Sequence, residues 1–181
     1  MGIEDFRNGI FSLHTRSFGT VAEIMIKKIY QLENSDSLAF DKLDVVSGAK
    51  IEIKFSRALK ENECKINEKN VIDQCLKATS AQREFASTET DTYSFDCNIQ
   101  QVKSKEFDIL YYGIFFKDCV EIFKITNEEV KNLSNYSDKQ HRGNIGEGQF
   151  HISSANIQFH RDNYFDRKLT YEELYSLFEE V

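Results

Sequence analysis

Two acidic residues and a lysine stand close together within residues 39–57, which read AFDKLDVVSGAKIEIKFSR. Carboxylate oxygens are the ligands that Mg²⁺ prefers, and Asp44 and Glu52 can hold one ion while leaving positions for water and a phosphate oxygen. The backbone carbonyl of Ile53 is a candidate further ligand. Lys54 can stabilise charge at the phosphate or position the attacking water. The pattern therefore predicts metal-assisted hydrolysis, in which the two acids and Ile53 bind the metal and Lys54 assists the reaction.

The second strand of a predicted β-hairpin positions Glu52 and Lys54. Alternate side chains of a strand share one face, so these two side chains project together. The intervening positions are apolar, at Ile51, Ile53 and Phe55. The strand is therefore expected to turn its apolar face to the core and its charged face to a functional surface.

The register of this hairpin decides which aspartate joins Glu52. A two-residue loop at Ser47-Gly48 would place Asp41 on the face of Glu52, whereas a three-residue loop at 47–49 would place Asp44 opposite it. We favour Asp44 because it adjoins the apolar Val-Val pair. Both aspartates remain open as the first metal ligand at this point.

The residues from Asp44 to Lys54, D-VVSGAKI-E-I-K, resemble the signature of the PD-(D/E)xK nucleases. This family includes most type II restriction endonucleases and several repair nucleases. The resemblance covers about residues 20–57, with Leu43 at the position of the nominal proline. The spacing of the two acids fits the short-spaced members of the family, which is a second reason to favour Asp44.

The resemblance implies both a fold and an activity. The fold is an α/β restriction-endonuclease-like core, with a mixed β-sheet flanked by helices. The activity is that of a Mg²⁺-dependent endonuclease of double-stranded DNA, most like a sequence-specific type II restriction enzyme that acts as a homodimer. Mn²⁺ is expected to substitute for Mg²⁺. The alternatives are a DNA repair or junction nuclease of the same fold and a non-catalytic DNA-binding protein.

Glu23 is a fourth candidate catalytic residue, with two interpretations that remain open. It lies in a predicted helix upstream of the hairpin, where many members of the resembled family carry a glutamate that reaches the metal site, often through water. The spacing from Thr20 to Glu23 also matches a capping box, in which the glutamate binds back to the start of its own helix.

Candidates for DNA contact follow the hairpin and recur at about residues 139–168, which we expect to hold DNA-recognition elements. Cations can position phosphates, while amides and arginine forks can read base edges. The candidates are Arg57, Lys60, Gln140, His141, Arg142, Asn156, His160 and Arg161. The Gly-rich segment 143–148 lacks the preceding strand and the Lys-Ser/Thr pair of a phosphate loop, so no nucleotide cofactor is expected.

Length, charge and hydropathy narrow the class of protein. The 181 residues suit one nuclease domain over residues 1–181, with a catalytic core at about 17–125. A net charge of −7 excludes a general polyanion-coating protein but not a local basic cleft. The cysteines are too widely spaced for a zinc knuckle. Without a long apolar run or the basic start of a signal peptide, a cytoplasmic protein with no membrane contact is expected.

Hydrophobic periodicity and turn residues predict a single α/β arrangement of elements. The predicted helices are 20–32, 70–86, 127–133 and a C-terminal helix. Thr126 and Thr170, at the starts of the last two helices, each precede a glutamate by three residues, which predicts a capping box at both. The predicted strands are the 38–57 hairpin, 93–99, 107–116, 119–125 and a part of 142–160.

Overall fold

The computed structural model of this chain describes residues 2–61, 64–139 and 145–180. Its helices are α1 (Ile3–Ser12), α2 (Thr15–Tyr30), α3 (Val71–Lys77), α4 (Ser80–Arg83), α5 (Asn127–Lys131), α6 (Ile157–Tyr164) and α7 (Tyr171–Glu179), with one 3₁₀ turn at Ser87–Glu89. Its strands are β1 (Glu33–Asn34), β2 (Lys42–Leu43), β3 (Lys50–Arg57), β4 (Asp96–Val102), β5 (Ile109–Phe115), β6 (Cys119–Thr126), β7 (Ser137–Lys139), β8 (Ile145–Ser153) and β9 (Phe165–Thr170).

The larger sheet is mixed and has the strand order β1-β2-β3-β5-β6-β9. β3 and β5 run parallel, whereas the other neighbours in this sheet are antiparallel. β5 is apolar throughout and nearly all of it is buried, as expected for a strand that is covered on both faces. The predicted α/β class, with a mixed sheet flanked by helices, is confirmed.

A second, smaller sheet has the order β4-β8-β7 and is antiparallel. β4 pairs along most of its length with β8, from Asp96 opposite Ser153 to Val102 opposite Gly148. The strand prediction located both β4 and β8 approximately, but it did not indicate that they leave the main sheet to form another. This pairing joins segments about 50 residues apart, and no local pattern encodes it.

Helices α1, α2 and α7 cover one face of the larger sheet. Apolar side chains at Phe18, Ala22, Met25 and Ile26 follow the helical period along α2 and are buried. Phe18 packs edge-on against Phe115 of β5, with ring centroids 5.0 Å apart. The other face holds a separate aromatic-rich cluster that also takes side chains from the smaller sheet. β3 therefore lies between the helices on one face of the sheet and the aromatic-rich cluster on the other.

The predicted elements agree with the structure where their signals are local. Thr126 and Thr170 each form the predicted capping box. The predicted helix at 70–86 is instead two short helices, because Thr79 leaves the helical conformation (φ −66°, ψ 146°). The strand predicted within 142–160 ends at Ser153 and is followed by α6. No helix in the described ranges is long and apolar enough to cross a bilayer.

Candidate active site

Asp41, Glu52 and Lys54 converge where the β2–β3 hairpin opens. The Lys54 Nζ atom lies 2.6 Å from Glu52 Oε1 and 3.9 Å from Asp41 Oδ2. The backbone N–H of Ile53 donates to the same Asp41 oxygen at 2.8 Å. As the strand alternation predicted, Glu52 and Lys54 share one face of β3. Two carboxyl groups and one ammonium group therefore occupy a single site.

The turn of the hairpin is longer than either predicted loop. The backbone N–H of Asp44 donates to the carbonyl of Ala49 at 3.0 Å, which leaves residues 45–48 as the loop. Farther from the turn, Lys42 pairs with Ile51. This register differs from both of those considered from the sequence. This register places Asp41 directly opposite Glu52.

Asp44 closes the turn and does not face Glu52. Its Oδ1 accepts a hydrogen bond from the Val46 N–H at 3.0 Å, and its Oδ2 accepts one from Ser47 Oγ at 2.6 Å. These hydrogen bonds, from the Ser47 hydroxyl first and the Val46 N–H second, lower the pKa of Asp44. The predicted placement of Asp44 opposite Glu52 is wrong, and Asp41 occupies that place.

Burial and charge set the ionisation of the site. Burial raises the pKa of Glu52 to about 7, with a further upward contribution from Asp41, against the lowering effect of Lys54. Burial also raises the pKa of Asp41. For Lys54, burial acts to lower the pKa, but the two carboxylates outweigh it and the pKa is raised. Perturbed groups of this kind in a cleft are typical of functional sites.

Glu23 is not a helix cap. Helix α2 begins at Thr15, so Thr20 lies inside it, where its hydroxyl donates to the carbonyl of Arg16. The capping-box interpretation is therefore wrong. Glu23 Oε2 instead accepts from Lys42 Nζ at 3.0 Å, and its charge contributes to raising the pKa of Asp41. Lys42 was not predicted, although its position beside an aspartate in a half-buried strand was a usable signal.

The three converging residues line a cleft of about 200 Å³. The strand and loop residues around it come from both sheets. They are Leu38, Ala39, Phe40, Asp41, Glu52, Lys54, Gln101, Lys103 and Glu147. The last three come from the region of β4 and β8 and were missed, since nothing in the local sequence connects them to the hairpin.

The donor chemistry of the cleft suits a hard divalent cation. Asp41 and Glu52 offer carboxylate oxygens, and Mg²⁺ is usually held by one or two carboxylates together with water and substrate oxygens. Within the described part of the chain, no group of three or more His, Cys, Asp or Glu side chains is arranged to hold a metal ion. The carbonyl of Ile53 as a ligand stays a prediction, since the contact seen for this residue is made by its N–H group.

Two of the candidate DNA-reading side chains form hydrogen bonds within the protein. His160 is only 1% exposed and its Nδ1 lies 2.9 Å from the Tyr112 hydroxyl. The Asn156 side chain accepts from the Ser153 N–H at 2.7 Å and donates to the His151 carbonyl at 2.8 Å, which shapes the turn between β8 and α6. The prediction of a DNA contact is wrong for His160, which is buried. For Asn156, which is partly exposed, a DNA contact stays a prediction.

The Arg161 side chain also forms contacts within the protein. Its guanidinium donates two hydrogen bonds to Glu121, both at 3.0 Å, and others to Thr90 Oγ1 and the Ser87 carbonyl. Glu121 lies on β6 and is 4% exposed. Because Arg161 neutralises a buried carboxylate, the predicted role in base readout is replaced by a structural one.

Arg57 is the last residue of β3, and Lys60 lies just after this strand. The Arg57 guanidinium is 4.0 Å from the centroid of the Phe18 ring and donates to the Leu13 carbonyl at 2.6 Å, so it braces the junction of α1 and α2. The Lys60 ammonium lies 3.9 Å from the centroid of the Tyr93 ring. A DNA contact by Lys60 stays a prediction. Gln140, His141 and Arg142 lie outside the described residues.

Neither models of known protein families nor curated proteins match this chain. What the cleft can do follows from its side chains. Its carboxyl groups can bind a cation, and a lysine held beside them can bind an anionic oxygen. The site is thus equipped to bring a cation and an anionic substrate together.

Proposed function

We propose that this protein is a Mg²⁺-dependent endonuclease of double-stranded DNA, most like a sequence-specific type II restriction enzyme. The observation that carries the proposal is the convergence of Asp41, Glu52 and Lys54 in one cleft of the hairpin. The acid-x-lysine pattern on β3, which is the core of the resemblance to PD-(D/E)xK nucleases, supplies two of these residues. We further propose that two copies act together, one on each DNA strand.

The charge of the cleft supports a requirement for a divalent cation. At the centre of the cleft, the carboxyl groups of Asp41 and Glu52 share one ammonium group, that of Lys54. Fully ionised, this set carries an excess of one negative charge, which would repel a phosphodiester. A divalent cation reverses the sign and makes the same cleft attractive to DNA.

Each residue has a distinct task in this proposal. Asp41 and Glu52 would hold the cation, which supplies charge neutralisation and a bound water of lowered pKa. The Ile53 N–H keeps the Asp41 carboxylate in position. Lys54 would exchange its contact with Glu52 for one with a phosphate oxygen, where charge develops during hydrolysis. Glu23 would act indirectly, by holding Lys42 beside the site.

The proposal is tested by incubating purified protein with unmethylated phage DNA. Mg²⁺ or Mn²⁺ is expected to yield discrete fragments, and Ca²⁺ is expected to support binding without efficient hydrolysis, because coordination geometry governs the chemistry. Nicked and branched DNA are run in parallel. Cleavage of those substrates alone would favour the repair or junction nuclease. Full activity in excess EDTA, or binding without cleavage of any of these DNAs, would refute the proposed reaction.

Metal binding is expected to depend on pH through Glu52. Because burial raises the pKa of this carboxyl group to about 7, protons compete with the cation below that pH. The apparent Mg²⁺ affinity should weaken by about tenfold for each pH unit below 7. With metal in large excess, the thermal midpoint at pH 8 should rise by on the order of 5 °C, and by less at pH 6.

Thermal unfolding with and without Mg²⁺ at each pH measures this effect independently of cleavage. The matched control is Glu52→Gln, whose side chain carries no titrating proton and should give a small shift that does not vary with pH. If Mg²⁺ raised the thermal midpoint of the wild-type protein equally at pH 6 and pH 8, a role for Glu52 in metal binding would be contradicted.

A further inference from the structure

Gln101 occupies an irregular position in β4. The pairing of β4 with β8 slips between Gln100 and Val102, so Gln101 is an extra residue in a β-bulge. Its φ is +58°, in the left-handed region. Among the described residues other than glycine, only Gln31 shares this feature, and Gln31 simply terminates helix α2. The conformation of Gln101 has no comparable role in ending a helix.

A glutamine is an unfavourable choice for this backbone. Glycine adopts the left-handed region readily and asparagine does so occasionally, whereas longer side chains are strained there. Strained residues of this kind are held in place by the surrounding fold and cluster at functional sites. The shape of the bulge alone therefore does not explain why a glutamine occupies this position.

The bulge places Gln101 at the candidate active site. Ile99 and Val102, on either side of the slip, are almost fully buried and anchor β4 in the core. Gln101 is exposed and lines the same cleft as Glu52 and Lys54. Bulges commonly re-aim a side chain next to an active site.

We propose that Gln101 binds substrate in this cleft, by donating an amide hydrogen bond to a phosphate oxygen of the DNA backbone. A neutral amide can donate to a phosphate oxygen without adding another ammonium group that would compete with the cation for the carboxylates. Lys103, two residues on, lines the cleft as well and supplies positive charge beside the amide. This inference rests on the proposed nuclease function and adds to it a contact from the smaller sheet.

The test uses Gln101→Met, which keeps the length of the side chain but removes the amide, and Gln101→Gly, which relieves the backbone. The matched control is Gln100→Met, because Gln100 is the exposed neighbour that pairs with Gln149 and does not line the cleft. Initial rates of cleavage are measured over a range of DNA concentrations to give kcat/KM, and DNA binding is measured in Ca²⁺. Loss of one hydrogen bond to a charged group predicts about a 10- to 100-fold lower kcat/KM for both Gln101 variants. The control should stay within about twofold.

The glycine variant separates a binding role from a structural one. Gln101→Gly should keep or raise the thermal midpoint while it lowers kcat/KM, whereas a residue that only shapes the bulge would leave a fully active glycine variant. If Gln101→Met cleaves DNA like the wild type while the separate variant Glu52→Gln is inactive, this inference is overturned and the proposed function stands. Wild-type cleavage by both Gln101→Met and Glu52→Gln would overturn the two together.

Discussion

Asp41→Asn is expected to lower the single-turnover rate of Mg²⁺-dependent DNA cleavage by about 1,000-fold, which corresponds to about 4 kcal/mol of transition-state stabilisation. A carboxamide lacks the charge that holds the cation in the cleft. Asp44→Asn is expected to leave the rate within a few-fold of wild type. The side chain of Asp44 closes the hairpin turn, and asparagine retains an oxygen that can accept from the Val46 N–H.

The two aspartate variants form a matched pair, since each removes one charge from the same hairpin. Glu52→Gln serves as the reference for a lost metal ligand and should be as inactive as Asp41→Asn. Circular dichroism and thermal midpoints establish that each variant is folded. If Asp44→Asn alone were inactive while folded, the placement of Asp41 at the metal would be wrong and the sequence-based choice of Asp44 would be restored.

Arg161→Ala is expected to destabilise the protein by about 3–5 kcal/mol, because it leaves the buried carboxylate of Glu121 without its partner. The side chain of Arg161 is 22% exposed and that of Glu121 is 6% exposed, so solvent cannot replace the lost guanidinium. An arginine that reads bases on the surface would instead change DNA affinity and leave stability unaltered.

Urea unfolding measures this loss as a shift in the midpoint at constant slope. Arg167→Ala is the matched control, since Arg167 lies on the adjacent strand β9 with an exposed side chain and should change stability by less than about 1 kcal/mol. The double variant Arg161→Met with Glu121→Gln should recover a part of the loss, because no unpaired charge is left buried. An unchanged midpoint for Arg161→Ala would show that the ion pair does not support the fold.

Features that depend on neighbouring residues were accessible from the sequence. The capping boxes at Thr126 and Thr170 were identified correctly, because a cap is formed within one helical turn. The shared face of Glu52 and Lys54 was also identified, since alternation is a property of any strand. The α/β class followed from the order of such local patterns along the chain.

Features that depend on strand register or on the packing of distant segments were not accessible from the sequence. The choice between Asp41 and Asp44 turns on the length of one loop, and a slip of one residue exchanges the faces of a strand. The burial of His160 and the ion pair of Arg161 arise because α6 packs on β6. The sequence alone does not show whether a charged residue faces water or a buried partner. Gln101 reaches the cleft only because β4 joins β8 in a second sheet. Such contacts are set by the simultaneous packing of many segments, which no short window of sequence contains.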